Sequence, residues 1–337
     1  GEGPNATEHF RLMLGYDADK DDVIYHEPAE AGGRYHRMSR RQFLKLWPLK
    51  YRETEWTVIR FKLEPEKIRQ PRRSLGMSKA DYAQHIHALK QRLPGEGFSI
   101  DIQPPFVVVG DESAARVRMR SEKTVKWAVE KLKQDFFKDD PDHIIDIWLF
   151  KNDESYRRNA WILFKDKPDT PYGYASSEHR ALVMNIATGG GTLVHEIVHP
   201  FIAANFPDCP SWFNEGLGSL YEQCREKDGK IMGATNWRLA GLQKAIKRKV
   251  VPTFKTLTST TTHEFYREDP GTNYAQSRYL LYFLQEKGLL RRYYKTFTAH
   301  QDKDPTGYET LKKILRVKDM GRFKKNWENY VLGLTFP

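Results

Sequence analysis

The sequence predicts an α+β protein, with a mixed sheet followed by a mainly helical C-terminal region. Between Phe106 and Ile186, short apolar runs of strand length alternate with stretches of helical spacing, and later apolar residues recur with helical spacing alone. The 337 residues, 39% of them hydrophobic, are enough for two or three domains with their own cores. We therefore divide the chain into residues 1–97, 98–206 and 207–337.

Each predicted element is marked by its apolar period. The strands at 106–109 and 144–150 are dense in β-branched and aromatic residues, and the helix between them repeats Val125, Val129 and Leu132. This order describes a mixed sheet with helices on one side. In chain order the predicted elements are a strand at 106–109, a helix at 113–137, a strand at 144–150, a short helix at 155–164, strands at 172–174 and 181–186, and helices at 235–248, 273–287, 288–298, 306–316 and 319–332.

The strongest functional signal is the motif His195-Glu-Ile-Val-His199. Side chains four residues apart lie on one face of a helix, so both imidazoles can bind a single metal ion. Glu196 points about 100° away from His195, which places its carboxylate beside the ion rather than on it. From there it can take a proton from an attacking water. The motif therefore predicts a catalytic metal helix.

A third metal ligand is expected on the following helix. A Pro/Asp/Ser cluster ends the first helix, and Ser211 is the expected N-cap of the second. Glu215 would then lie in the first turn and face the two histidines. Catalytic zinc takes three protein ligands and leaves the fourth position to water, which His195, His199 and Glu215 would satisfy. Glu222, two turns further along the same face, is the rival third ligand.

The chain resembles the gluzincin zinc metallopeptidases, and within them the peptidase MA-like group of often exported bacterial proteins. The resemblance rests on the His-Glu-x-x-His motif, on Trp212-Phe-Asn-Glu-Gly216 and on Asn273-Tyr-Ala-Gln-Ser-Arg-Tyr-Leu280. It covers roughly residues 98 to 300, and its metal motifs are the specific part. It implies a zincin-like fold, a zinc ion, and hydrolysis of a peptide or protein substrate.

Four residues around the motif bear on how the helices meet. Gly216 and Gly218 have no side chains, so two helices could approach closely enough to share an ion. Pro200 cannot donate to the carbonyl of Glu196, so we expect a kink just after the ligands. Ser219 stands where some gluzincins carry an aspartate that orients a zinc-bound histidine. We therefore expect that support to come from elsewhere.

The strand at 181–186 is expected to be the edge of the sheet, as in zincin-like folds. The Thr188-Gly-Gly-Gly-Thr192 turn ends it, and Thr192 can cap the metal helix. The free backbone groups of an edge strand can pair with an extended peptide, with little sequence preference. An ordinary covered edge strand is the alternative.

The predicted reaction is hydrolysis of a peptide bond. Glu196 would accept the proton of the attacking water and pass it to the leaving amine. A second group should stabilise the oxyanion, and Tyr274 is the candidate because a phenol on a helix over the site is the family-like solution. Packing in the core is the other interpretation of Tyr274. His263, in a loop-like Thr-rich stretch, is the second choice.

The two cysteines and the first residues of the chain bear on the cellular location of the protein. The chain begins Gly-Glu-Gly-Pro-Asn and has no run of 18 apolar residues, so we expect no transmembrane segment and interpret it as an exported protein without its signal. A Cys209–Cys224 disulfide would agree with export. A straight helix from 212 would place Cys224 roughly 18 Å from its start, so a bridge requires the preceding loop to run back along the helix.

The formal charge of +11 is concentrated near the N terminus. The segment from Arg34 to Arg73 has thirteen Lys or Arg and four acidic residues, with aromatic residues between them. Such interleaving occurs in nucleic-acid binders, yet residues 53–63 also have the pattern of a half-buried strand with solvated charges. We favour the solvated surface and expect no specific nucleic-acid binding. Because the segment is positively charged, an acidic substrate or a polyanion is an alternative partner.

Two other classes of function compete with a peptidase. One is a catalytically inactive zincin-fold binding protein, and the other is a structural metal domain whose basic N-terminal region binds polyanions. A catalytic zinc keeps an open position for water, whereas a structural zinc is closed by a fourth protein ligand. The oligomeric state cannot be predicted from these patterns.

Overall fold

The computed structural model describes residues 11–30, 32–46, 50–52, 55–56, 77, 79–267 and 272–336. Contacts within the chain define two compact units, residues 1–72 and 73–337. The helix α2 (Lys79–Arg92), which lies within the predicted segment 1–97, belongs to the second unit.

The first unit contains a three-stranded antiparallel sheet in the order β1-β2-β3. Val23 and Tyr25 on β2 and Phe43 on the following helix are buried, which gives this sheet a small apolar side. Most of the strand predicted at 53–63 lies outside the described residues. The elements are β1 (Leu12–Asp17), β2 (Asp22–His26), β3 (His36–Ser39), α1 (Arg40–Leu46), β4 (Lys50–Arg52) and β5 (Glu55–Trp56).

The second unit is built on a five-stranded mixed sheet in the order β6-β7-β8-β10-β9. The three inner strands are parallel, and the two outer strands pair antiparallel to their neighbours. Four of the strands were predicted, and β6 was not. The strands are β6 (Ser99–Gln103), β7 (Phe106–Gly110), β8 (Ile145–Phe150), β9 (Gly173–Ser176) and β10 (Ala181–Asn185).

The prediction that the strand at 181–186 forms the sheet edge is wrong. β10 lies between β8 and β9, and it pairs with β8 over all five residues and with β9 over four. The edge strand on this side is β9. The burial of every residue of β10 fits this inner position, because an inner strand is covered on both faces.

Helices cover both faces of the sheet, not one face as predicted. Val108 and Leu149 face one apolar core, whereas Val109 and Trp148 face the other. An unbroken apolar run such as Phe106-Val-Val-Val indicates burial on both sides. The first core includes helices α3 (Ala114–Arg120), α4 (Trp127–Asp135), joined to α3 by a π-helical segment, and α6 (Gly191–Asn205); the second includes α2 and α5 (Asp153–Phe164).

The C-terminal region is mainly helical, as predicted, but its first helix is followed by a β-hairpin that was not predicted. Its helices share one continuous apolar core with the sheet, and α7 packs against both α6 and α11. The elements are α7 (Ser211–Tyr221), β11 (Cys224–Lys227), β12 (Lys230–Gly233), α8 (Arg238–Lys247), α9 (Phe254–Thr258), α10 (Thr262–Arg267), α11 (Asn273–Glu286), α12 (Leu290–Ala299), α13 (Tyr308–Leu315) and α14 (Met320–Leu332).

In the part of the chain that the structure describes, no helix has both the length and the apolar character required to cross a membrane.

Candidate metal centre

Two consecutive helices carry the predicted ligands. Helix α6 starts one residue before Thr192, so Gly190 rather than Thr192 occupies the cap position, and the helix continues through Pro200 to Asn205. Helix α7 starts at Ser211, with Pro210 in its cap position. Both predicted N-caps are therefore displaced by one or two residues, while the helices themselves are as predicted.

His195, His199 and Glu215 meet in one place. One possible ligand atom from each lies within 4.8 Å of the other two. His195 Nε2 is 3.2 Å from Glu215 Oε2, and His199 Nε2 is 4.0 Å from Glu215 Oε1. Ligands of a tetrahedral zinc, at bond lengths of about 2.0–2.2 Å, lie about 3.3–3.5 Å apart. These three residues could hold one metal ion after small side-chain adjustments.

The members of the group differ in burial. His195 and Glu215 are only 7% and 6% exposed, whereas His199 and Glu196 are half-buried. Glu196 Oε2 lies 3.9 Å from His199 Nε2, so its carboxylate is next to the group without belonging to it.

Each of the three possible ligands has a separate polar partner behind it. The Nδ1 of His199 lies 2.8 Å from Asn214 Oδ1, and the hydroxyl of Tyr266 donates to Glu215 Oε1 at 2.5 Å. If His199 Nδ1 carries the proton, its Nε2 lone pair is left free for a metal. Burial and the Glu215 carboxylate raise the pKa of Tyr266, so its hydroxyl remains a donor.

The partner of His195 is Glu222, which we had considered as a rival third ligand. Its Oε1 lies 3.2 Å from His195 Nδ1, an ion-pair contact rather than a linear hydrogen bond, on the side away from Glu215. Arg238 donates to both oxygens of Glu222 at 3.0 and 2.7 Å, and Asn236 Nδ2 donates at 3.1 Å. Glu222 thus braces a ligand instead of joining the group.

Glu222, and not Ser219, provides the polar partner of His195. The Ser219 hydroxyl oxygen is buried and accepts or donates no hydrogen bond within the described residues. Glu222, three residues later, supplies the carboxylate that Ser219 lacks. The sequence contained this signal, since Glu222 follows Glu215 by two helical turns, but it did not distinguish a ligand from a brace.

The buried charges strongly shift one another's titration. Burial opposes a charged His195, but the carboxylates of Glu215 and Glu222 outweigh it and raise the pKa of His195 well above its usual range. Burial likewise opposes ionisation of Glu215, yet His195 and His199 keep the pKa of its carboxyl well below its usual range. A bound metal cation would replace the proton of His195 as the positive charge that these carboxylates stabilise.

Glycines allow helix α7 to pack closely against its neighbours. Gly218 faces α6, as expected, whereas Gly216 faces α11 instead of α6. A Cβ on Gly218 would lie 3.0 Å from Cδ2 and Nε2 of His195. A Cβ on Gly216 would instead meet Ser277 and Leu281 of α11, both at 3.1 Å. Gly191 lies against the end of α7, where a Cβ would be 2.0 Å from the carbonyl oxygen of Glu222.

The two candidates for the second electrophile lie on helices α11 and α10. Tyr274 is half-buried on α11, with its ring centroid 6.2 Å from that of Tyr266 and 5.1 Å from Arg238 Cζ. His263 is exposed on the short helix α10 rather than in a loop. Tyr266, on the same helix, was not predicted, because nothing local distinguishes it from other tyrosines of the chain.

Cys209 and Cys224 are separate free thiols, so the disulfide that we considered is not formed. They flank helix α7, which runs without interruption from Ser211 to Tyr221. This is the straight helix that keeps the two positions apart.

No protein-family model matches the chain, and no curated protein is significantly similar to it. The resemblance to gluzincin metallopeptidases therefore rests on the residues quoted above.

Proposed function

We propose that this protein is a zinc-dependent hydrolase of peptide bonds with a zincin-like fold. The supporting observation is that His195, His199 and Glu215 converge, each with its own polar partner, while Glu196 stands beside them. Metal-binding histidines in proteins are generally oriented by a polar partner of their second nitrogen, as Asn214 is for His199 and Glu222 for His195. A chance cluster of polar residues would not require a separate brace for every member.

Two imidazoles and one carboxylate form a donor set that suits zinc. Zinc, when bound, would lower the pKa of a water molecule and polarise a substrate carbonyl. Glu196 would accept the proton of the attacking water and deliver it to the departing amine nitrogen. Tyr274 remains the proposed oxyanion donor, and Tyr266 is a second phenol at the site.

The substrate would be an extended peptide. β9 is the edge strand of the sheet, and it lies next to the metal helix α6. The outer backbone groups of an edge strand can pair with an added strand, which binds a peptide through its main chain. We therefore transfer the predicted strand addition from β10 to β9. The family resemblance would also place the protein outside the cytoplasm.

Glu196→Gln tests this proposal. The amide cannot accept a proton, so the variant should keep its zinc and fold but cleave a proteome-derived peptide library slower by several orders of magnitude. Zinc content by mass spectrometry and thermal unfolding are the controls, and chelation of the wild type should give the same loss. Unchanged cleavage by the variant, or no cleavage by the zinc-loaded wild type, would contradict the proposal.

A further inference from the structure

A run of aromatic side chains leads away from the metal centre. It starts at Tyr266, whose hydroxyl contacts Glu215, and continues to Tyr274, whose ring centroid is 6.2 Å away. Arg238 follows, with its guanidinium 5.1 Å from the Tyr274 ring and 4.3 Å from the Trp237 ring. We refer to Tyr266, Tyr274 and Trp237 as the aromatic ledge.

A second set of contacts holds the same ledge in place. Arg238 donates to both oxygens of Glu222, and Glu222 contacts His195. Two different ligands, Glu215 and His195, are therefore connected to Arg238 by separate routes. The ledge is consequently connected to the metal centre at both ends, through Tyr266 and through Arg238.

The ledge exposes an unusual amount of aromatic surface. Trp237 is 61% exposed and Tyr266 is 41% exposed, although the side chain of tryptophan is generally largely buried. The guanidinium of Arg238 covers one part of the Trp237 ring, and much of the remainder faces solvent. Exposed apolar surface next to a reaction centre typically marks a ligand-binding site.

The positive charge of Arg238 is paired with the carboxylate of Glu222. Its bidentate ion pair with Glu222 leaves it with little capacity to attract a substrate carboxylate. The ring faces of the aromatic ledge therefore define which groups it can bind, and they favour apolar or aromatic side chains. The acidic substrate considered from the net charge does not fit this part of the site.

We infer that the aromatic ledge is a specificity subsite that binds a bulky apolar or aromatic side chain of the peptide close to the cleaved bond. This inference rests on the proposed peptidase function. Peptides with phenylalanine, tyrosine, tryptophan or leucine near the cleaved bond are the expected substrates, and peptides with only glycine or acidic residues there are cleaved slowly.

Trp237→Ala tests the inference. The kcat/KM for peptides with Phe or Leu near the cleaved bond should fall at least about tenfold, as expected for a lost apolar contact, while zinc content and the cleavage of Gly-containing peptides stay unchanged. Trp237→Phe should retain most of the preference. Trp161→Ala is the matched control, because Trp161 is 49% exposed, also contacts cationic side chains, and lies on α5, which packs on the opposite face of the sheet from α6.

A binding measurement separates the inference from the proposed function. Zinc-loaded Glu196→Gln should bind a Phe-containing peptide, measured by calorimetry, and the additional change Trp237→Ala should weaken that binding by a similar factor. If Trp237→Ala leaves both cleavage preference and binding unchanged in an active peptidase, the ledge is not the subsite. If the wild type neither cleaves nor binds any peptide, the proposed function and the subsite both fail.

Discussion

Glu222→Gln should weaken zinc binding without removing a zinc ligand. The change keeps the size of the side chain, but it replaces the charged partner of His195 and Arg238 with a neutral amide. His195 would then be held less firmly in the orientation that points Nε2 at the metal. Hydrogen bonds to an ionised acceptor are about twice as strong as neutral ones.

The expected loss of zinc affinity can be estimated from the contacts of Glu222. Removing an outer partner of a metal-binding histidine typically lowers metal affinity about 10–100-fold, or about 1.4–2.7 kcal/mol. Glu222 also stabilises the protonated form of His195, which competes with zinc. The variant relieves part of this competition, so the ratio of wild-type to variant zinc affinity should increase as the pH rises from neutral.

Chelator competition, monitored with a chromogenic zinc indicator at several pH values, measures this ratio. Glu226→Gln is the matched control, because Glu226 is exposed and contacts Lys131 and Trp127, away from the metal group. Glu215→Gln should lose zinc more severely than Glu222→Gln. Wild-type zinc affinity in Glu222→Gln would refute the bracing role, and a reversed order of the two variants would make Glu222 the ligand.

Other measurements test the remaining parts of the site. Tyr274→Phe should lower kcat about 10²–10³-fold with little change in zinc content, whereas Tyr266→Phe should mainly weaken zinc retention; an unchanged kcat in the first would assign Tyr274 to packing and make His263 the next test. Zinc uptake near pH 7.5 should release about one proton, since the raised pKa of His195 keeps it protonated until the metal binds, and calorimetry in buffers of different ionisation enthalpy detects this. Nucleic-acid binding by the segment Arg34–Arg73 should be weak and fall steeply with salt, and a nanomolar, sequence-selective complex at physiological salt would contradict the solvated surface.

Local spacing was sufficient to bring the possible ligands together. The helical period places His195 and His199 on one face, and the break before Ser211 allows the next helix to return with Glu215. These relations depend on fewer than 25 residues of chain. Four of the five strands of the central sheet and most of the helices were predicted for the same reason, since each is defined by its own apolar period.

Relations between distant segments were not predictable in this way. The position of β10 inside the sheet depends on β9 crossing to its outer side, and no pattern within either strand encodes that order. The link from Glu222 to Arg238 crosses an unpredicted hairpin, β11–β12, whose two strands have only four residues each. Tyr266 reaches Glu215 over 51 positions of sequence. The braces of the site therefore had to be found in three dimensions.

The glycine contacts of the metal helix have a consequence for recognising relatives of this protein. A methyl group at Gly191 would overlap the Glu222 carbonyl, and one at Gly218 would press on the ring of His195. Neither position tolerates even alanine without a shift of His195 or of the end of helix α7. Divergent homologues that keep the site should therefore share the spaced pattern Gly-x-x-x-His-Glu-x-x-His, followed by Glu-x-x-Gly-x-x-x-Glu, and a sequence with His-Glu-x-x-His but a larger residue at either glycine would need a different helix pairing.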